Sequence, residues 1–401
     1  GRRMKHRTFF WFILPSALAM LLFIALPIVS VAIQSLYIEH EKVMVTVESC
    51  GPFGCSKDTH VDAEKTLALQ RAEPLGRFNG LGTYLNRSHL AVGEIGAILA
   101  SNSGPADIVA RIYALPLYRA LAFTLAYCIL VTPLAMILGF FIALGINGLP
   151  HLVKGPAIFL SLLPMIITPL VGALIIYWMI DSNGIIGANL QALFHDPNLY
   201  LKASPVLTWV VLIVYGIWTN APFSFVVFYA GLQMVPHDTL ESAMVDGASR
   251  WERIHFVVIP SLAPLATFVA LVQLMDNFRV FEPIVGFNAS ANASSLSSAI
   301  FDDLHGQNAQ LFGSAAATSM LTIIGVVILF TGVVGSLVVS MASGKDKRRR
   351  RLPYAIGANA IGAIGLILFI FAKGFGLMMA AAVLYGFFIV GAAPLVLTFA
   401  A

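Results

Sequence analysis

Polar side chains interrupt two long apolar stretches of this 401-residue chain: Trp218, Thr219 and Asn220 in one, and Gln273, Asp276, Asn277 and Arg279 in the other. Polar groups held within a bilayer are expensive and mark functional positions. Gln273 and Asn277 are four apart and so share a helical face. Amides beside an indole suit a hydroxyl-rich solute, since hydroxyls pair with amides and C–H faces stack on rings. Hydrogen bonding between helices uses the same residue types, and both readings stay open at this level. Asp276 and Arg279, three apart, are spaced to neutralise each other.

The second pattern is a short polar insert between two apolar runs. It reads Glu241-Ser-Ala-Met-Val-Asp246-Gly247-Ala248, with Ile259-Pro260 twelve and thirteen residues after Gly247. Its chemistry is recognition: a membrane protein keeps such a segment where another protein grips it. Asp238, in Pro236-His-Asp238, is expected to accept hydrogen bonds from the free N–H groups at the start of a loop helix. Glu241 near the first turn is favourable with the helix dipole. Gly247 fits a turn of positive φ or a close backbone approach. Arg250, Trp251, Glu252 and Arg253 follow, and Pro260 is expected where the next helix begins. An amphipathic helix lying on the membrane surface uses similar residues. An acid, a glycine and a terminal proline at set offsets favour the gripped loop.

Other chemistry finds no support. No Gly-x-x-x-x-Gly-Lys-Ser/Thr loop is present to cradle phosphates, and no His-Glu-x-x-His or nucleophile motif occurs. His151, His195, His237, His255 and His305 are scattered through loops. The net charge of +4 is too small to mark a nucleic-acid partner. The chain is expected to bind no cofactor and no metal, and to be no enzyme.

Membrane helices must position these residues. The chain is 58% hydrophobic and 11% charged, with mean hydropathy +0.85, where a soluble domain carries about a quarter charged residues. The expected fold is all-α, a polytopic membrane helix bundle. Apolar runs lie at 9–35, 118–146, 157–180, 206–232, 261–284 and 312–342, then at 353–372 and 375–400. About 20 residues suffice to span, so this makes six core spans and two extra C-terminal ones. Pro133, Pro164, Pro169 and Pro222 fall inside spans, where prolines permit kinks. The first run exceeds a secretory h-region and lacks a small-x-small cleavage site, so it reads as an uncleaved anchor.

Basic residues favour the cytoplasmic side. That places Arg2, Arg3, Lys5, Arg7, Lys154, Arg250, Arg253, Lys345, Lys347 and Arg348 to Arg351 inside, while loops 181–205 and 285–311 carry only Lys202. The 236–260 loop is then cytoplasmic. Domain organisation follows: 1–37 is the N-terminus and first span, and 38–117 an exported loop or small subdomain. Residues 118–342 form the core with its 236–260 loop, and 343–401 a basic segment with two accessory spans. Within 38–117, Lys42 to Glu48 alternates as a short strand does. Cys50 and Cys55 flank Gly-Pro-Phe-Gly, where a disulfide-closed hairpin is favoured over two free thiols. Cys128, in an apolar run, reads as packing. Phe287-Asn-Ala-Ser-Ala-Asn-Ala-Ser-Ser295 reads as a low-complexity outer loop.

From about residue 8 to 342 the chain resembles the membrane permease subunit of type I ABC importers for carbohydrates, the maltose/glycerol-phosphate class. Ala230-Gly-Leu-Gln233 through Pro260 resembles the family's coupling loop, a helix-turn-helix that plugs into a cleft on the ATPase subunit. Phe78-Asn-Gly80-Leu81-Gly-Thr-Tyr84 resembles the family's Gly-Leu-x-Asn-Tyr element, with Thr83 in place of Asn. Arg119 to Thr124, Leu163-Pro164, Trp178 to Gly184 and Phe278-Arg-Val-Phe281 resemble further core segments.

The resemblance implies a division of labour in a bacterial inner membrane. An exported solute-binding protein delivers a sugar, and two permease subunits, the second a different chain, form the path. An ATPase dimer holding ATP and Mg closes on the inner side. Glu241, Ala243, Asp246, Gly247, Ala248, Arg250 and Pro260 are then the coupling residues. By the family pattern Asn220 and Asn277 face the solute path, with Trp218, Gln273 and Arg279 nearby. Three departures stand out. Ser242 replaces a usual Ala. The Thr-x-Gly-Gly-Pro element after the fifth span gives way to the Asn/Ala/Ser loop. Two apolar runs follow the basic cluster, where such permeases commonly end. An ion-coupled carrier is the rival reading; it predicts paired broken helices in an internal repeat and leaves the 236–260 loop unexplained.

Overall fold

The computed structural model describes residues 6–40, 43–51, 54–101, 104–196, 200–201, 204–306, 311–345 and 375–387, with eight positions between 357 and 368. Residues 1–117 with 299–323 form one compact unit, and 118–298 with 324–401 form another.

The first unit begins with the helix His6–Met20, a π-helical turn Leu21–Ala25 and the helix Leu26–Gln34. Pro27 accounts for the π turn: a proline ring crowds the carbonyl four residues back, and a wider turn relieves the clash. Beyond it, Tyr37–Ile38 pairs with Arg77–Phe78, and Met44–Gly51 pairs antiparallel with Gly54–Val61. The expected strand and hairpin are therefore present. Cys50 stands directly opposite Cys55 in the ladder, while the side chains of both lie outside the described residues. Asp62 Oδ1 accepts the Lys65 N–H at 3.0 Å and caps the helix Ala63–Ala72. Tyr84, Ala317 and Met320 form a small core with Ile28, Val31 and Ala32. Fully buried His89 lies between Asn86 Oδ1 (2.8 Å) and Ser314 O (3.1 Å).

The second unit is a helix bundle. Four helices among the described residues are long and apolar enough to cross a membrane: Ile13–Gln34 of the first unit, Pro116–Asn147, Pro205–Leu232 and Arg250–Phe278. A further apolar helix runs Phe312–Lys345. Pro133 and Pro222 sit within continuous helices.

The third span, expected as one helix over 157–180, is two. His151–Ile166 and Pro169–Met179 meet at a bend of 95°. Pro169 is the cause: a residue before proline is forced out of the helical region, and Thr168 has ψ 137°. Hydropathy reports apolar length and not direction, so the break is invisible to it.

The fifth span also differs. It was expected from 261, with Pro260 at its start, but the helix begins at Arg250. A π-helical turn over Ile254–Val258 carries it past Pro260, with the Ile259 N–H donating to Ile254 O. Both π turns stand two residues ahead of a proline, and the steric reason is shared.

Two apolar clusters hold this unit. Phe123, Val131, Leu212, Tyr215 and Ile284 pack at one end, and Ala143, Phe225, Phe228, Val258 and Leu262 at the other. Helices Pro116–Asn147 and Pro205–Leu232 touch through glycine. A Cβ on Gly139 would overlap Ser224, and one on Gly216 would overlap the Tyr127 hydroxyl. Of the C-terminal runs, the helix Phe375–Tyr385 is described. Just past it, Gly386 and Phe387 pack against Ile328, Thr331 and Gly335 of the Phe312–Lys345 helix. The basic cluster from Lys347 to Arg351 lies outside the described residues, as do Arg2, Arg3, Lys5 and Lys202.

Candidate functional site

The insert forms a helix, a tight reversal and a second helix start. The first helix is His237–Val245, with Pro236 at its N-cap and no side-chain cap. Asp238 therefore does not cap it, as had been expected; it lies in the first turn, and its carbonyl accepts the Ser242 hydroxyl at 2.7 Å. With Pro236 at the N-cap, Asp238 is the second helical residue, two positions past the one from which a side chain caps. Ser242, where the resemblance implies an alanine, lies within an unbroken helix.

The reversal is a Schellman motif. The Ala248 N–H donates to Ala243 O at 3.0 Å and the Gly247 N–H to Met244 O at 3.1 Å. Gly247 has φ +83°, and a Cβ there would meet nothing within 4 Å. Its requirement is conformational: of positive φ and a close backbone approach, only positive φ applies among the described residues. Ser249 then starts the next helix in a capping box. The Glu252 N–H donates to Ser249 Oγ at 3.3 Å, and the Ser249 N–H donates to Glu252 Oε2 at 2.7 Å. Sequence reasoning passed over Ser249, although Ser-x-x-Glu is a readable signal.

Inward, Leu240 packs on the cluster of Phe225, Phe228, Val258 and Leu262. Outward, Val245 is 88% exposed and Trp251 69%. Glu241, Asp246 and Arg250 are exposed and have no ion-pair partner among the described residues. Ala243 and Ala248 are half-buried in the reversal, and Pro260 is exposed on the continuing helix. Arg253 Nε is buried and has no hydrogen-bond partner among the described residues.

The polar residues within the spans form a network. Gln273 Nε2 donates to Asn220 O (2.9 Å) and Ser224 Oγ (2.8 Å). Asn277 Nδ2 donates to Thr132 Oγ1 at 2.9 Å, and Asn220 Nδ2 donates to Gly216 O at 2.8 Å and Asn277 Oδ1 at 3.3 Å. Gln273 and Asn277 are buried, and Gln273 Oε1 has no hydrogen-bond partner among the described residues. A buried acceptor left so costs about 1–3 kcal/mol. Trp218 and Arg279 stand apart: Trp218 packs against Tyr215, with ring centroids 5.9 Å apart, and exposed Arg279 pairs with Asp276 at 3.0 Å. The structure adds Thr132 and Ser224 to the set. Ser224 was legible as the residue four after Asn220; Thr132, on another helix, gave no signal.

No family model matches the chain. It is 29% identical over 243 residues to the trehalose transport system permease protein SugA of Mycobacterium tuberculosis, covering 60% of this chain and 76% of that one. It is 25% identical over 214 residues to the sn-glycerol-3-phosphate transport system permease protein UgpA of Yersinia pestis, covering 51% and 71%. A chain of a solved bacterial alginate ABC transporter aligns over 61% of this chain and 85% of its own, with TM-score 0.48 and 22% identity. The probable ABC transporter permease protein YesP of Bacillus subtilis is 30% identical over 220 residues, covering 53% of this chain and 70% of that protein. With that likeness added to a multi-pass bundle and its capped helix-turn-helix insert, the chain belongs to the permease proteins of ABC transporters.

Proposed function

We propose that the chain is the membrane permease subunit of an ATP-driven, binding-protein-dependent importer of a sugar or related polyhydroxy solute. It lies in a bacterial inner membrane with its N-terminus in the cytoplasm. One observation supports the reading above others: the 236–260 loop is hydrogen-bonded at both joints and bare on its outer face. The Schellman reversal and the capping box fix its shape, while Val245 and Trp251 face outward without cover. An apolar residue pair rimmed by charges on a fixed frame suits docking into a protein cleft.

In this reading Glu241, Ala243, Asp246, Gly247, Ala248, Arg250 and Pro260 transmit force and perform no chemistry. ATP and Mg belong to the partner ATPase dimer. Motion enters through Leu240 into the Phe225–Phe228 cluster and so into the Pro205–Leu232 helix, which carries Asn220. The Asn220–Asn277 hydrogen bond, at 3.3 Å the longest within the network, is the one a solute hydroxyl replaces as the path opens. Trp218, Gln273 and Arg279 are secondary candidates for that path. A second permease chain and an exported binding protein complete the assembly. The names of the trehalose and glycerol-phosphate relatives support a hydroxyl-rich cargo.

The test is reconstitution with the ATPase, the second permease and the binding protein in proteoliposomes. Sugar-stimulated ATP hydrolysis across a panel of sugars and polyols is expected, with uptake that stops without ATP. Uptake driven by an ion gradient and indifferent to ATP would establish the carrier reading instead.

A further inference from the structure

The Asn/Ala/Ser segment after the fifth span reads as a low-complexity loop, yet it is pinned at several points. The Ala289 N–H donates to Ile284 O at 2.9 Å, and Asn288, at φ +50°, makes the reversal. Trp209 Nε1 donates to Asn292 O at 3.0 Å, and Arg119 Nη2 donates to Ala291 O, also at 3.0 Å. Ala289, Ala293 and Ser295 are buried. Two helices thus hold a segment whose composition suggests none of this order.

Its inner side closes a cavity of about 180 Å³ against the start of the Pro205–Leu232 helix and the end of Pro169–Met179. Tyr177 and Phe287 supply aromatic walls, Ala289 part of the floor, and Thr208, Asn288 and Asn292 the polar groups. Asn292 Nδ2 is engaged with Thr208 Oγ1 at 3.4 Å. Asn292 Oδ1 and the side-chain amide of exposed Asn288 have no hydrogen-bond partner among the described residues. No charged residue lines the space among the described residues; Lys202, next to Leu201, lies outside them. The cavity lies at the opposite end of the Pro205–Leu232 helix from the 236–260 loop, some two dozen residues or about 36 Å along the axis.

We infer that this cavity is a second solute subsite that takes one neutral, hydroxyl-bearing sugar ring, separate from the Asn220–Asn277 network. The inference rests on the importer reading above for its ligand class. Aromatic faces and unfilled amides are the pairing that a pyranose satisfies, with C–H faces on rings and hydroxyls on amides. The volume equals about six waters, the scale of one ring and not of an oligosaccharide. A phosphate or carboxylate would be partly desolvated here with no counter-charge among the described lining residues, which is costly. The subsite therefore selects neutral sugars against phosphorylated ones. Because the segment is already pinned, the site needs little ordering on binding.

The experiment uses the assembled permease–ATPase complex in nanodiscs, without binding protein. Saturation-transfer NMR is run with glucose, mannose, galactose, maltose and trehalose, and with glucose 6-phosphate and mannose 6-phosphate. Transfer to at least one neutral sugar and to neither phosphorylated one is expected. It should fall at least five-fold in Ala289→Phe, which fills the cavity, and in Asn292→Leu, which keeps the backbone carbonyl that Trp209 uses. Equal transfer in the parent and both cavity variants would mean a hydrated void only, and the inference fails. Transfer to the phosphorylated sugars would overturn the assigned class. Sugar-stimulated ATP hydrolysis by the complete assembly reads the importer role separately. If it is present in the parent while the cavity variants bind as before, only the subsite is lost. If it is absent while a neutral sugar still binds in the cavity, only the importer reading is lost.

Discussion

Ser249 and Glu252 cap each other: the backbone N–H of each donates to the side chain of the other, at 2.7 Å and 3.3 Å. This exchange sets the point where the fifth span begins and holds the exposed Trp251 at the helix start. Loss of such a cap costs about 1 kcal/mol, or roughly a five-fold change in local opening. Ser249→Ala should therefore speed amide exchange in residues 250–253 about five-fold, without change in the Pro205–Leu232 helix. Unaltered exchange would mean that the box does not stabilise the loop.

Gly247 can be tested by size against conformation. Its φ is +83° and the space beyond its Cα is open, so strain and not collision should govern substitution. Asparagine tolerates the left-handed region better than alanine or valine. Gly247→Asn should keep more sugar-stimulated ATPase activity than the smaller Gly247→Ala, and Gly247→Val should abolish it with membrane insertion intact. The reverse order of Asn and Ala would point to a steric fit against the partner.

The buried amides differ in what they leave behind. Asn277→Leu takes the partner from the buried Thr132 hydroxyl, at about 1–3 kcal/mol for a polar group left buried and unpaired, and leaves the half-buried Asn220 amide with only its bond to Gly216 O. Gln273→Leu also breaks two hydrogen bonds, but it removes an acceptor that already lacks a partner. Thermal unfolding in detergent should show Asn277→Leu several degrees less stable than Gln273→Leu. Equal melting temperatures would place the unpaired Gln273 oxygen in contact with water.

Register predicts the state of the hairpin cysteines. The Asp62 N–H donates to Val43 O at 2.8 Å, which marks 43 and 62 as a hydrogen-bonded pair. Strict alternation from there makes Cys50 and Cys55 a non-hydrogen-bonded pair. Such pairs hold their Cα atoms about 4.5 Å apart, within the span a disulfide bridges. Non-reduced protein from an exporting host should yield a peptide 2 Da lighter that contains both residues, and reduction should expose two alkylatable thiols. Ready alkylation without reductant would count against the bond and against exposure of that hairpin to an oxidising compartment.

Much of this protein is written in local pattern. The apolar runs, the hairpin around Cys50 and Cys55, the insert with Gly247, and the i,i+4 pairing of Gln273 with Asn277 all follow from residue type and spacing, because helices, turns and bilayers read the chain over a few residues at a time. The capping box of Ser249 and Glu252 was equally local and open to reading. Tertiary structure alone decided the rest. Whether a proline bends, bulges or leaves a helix straight depends on its neighbours. Pro169 divides a span, Pro260 rides behind a π turn and Pro222 does neither. That Thr132 meets Asn277 across 145 residues, and that Trp209 and Arg119 turn an Asn/Ala/Ser run into the wall of a cavity, depends on how helices dock. Docking is set by packing summed over many residues that are distant in the chain, which no short window of sequence contains.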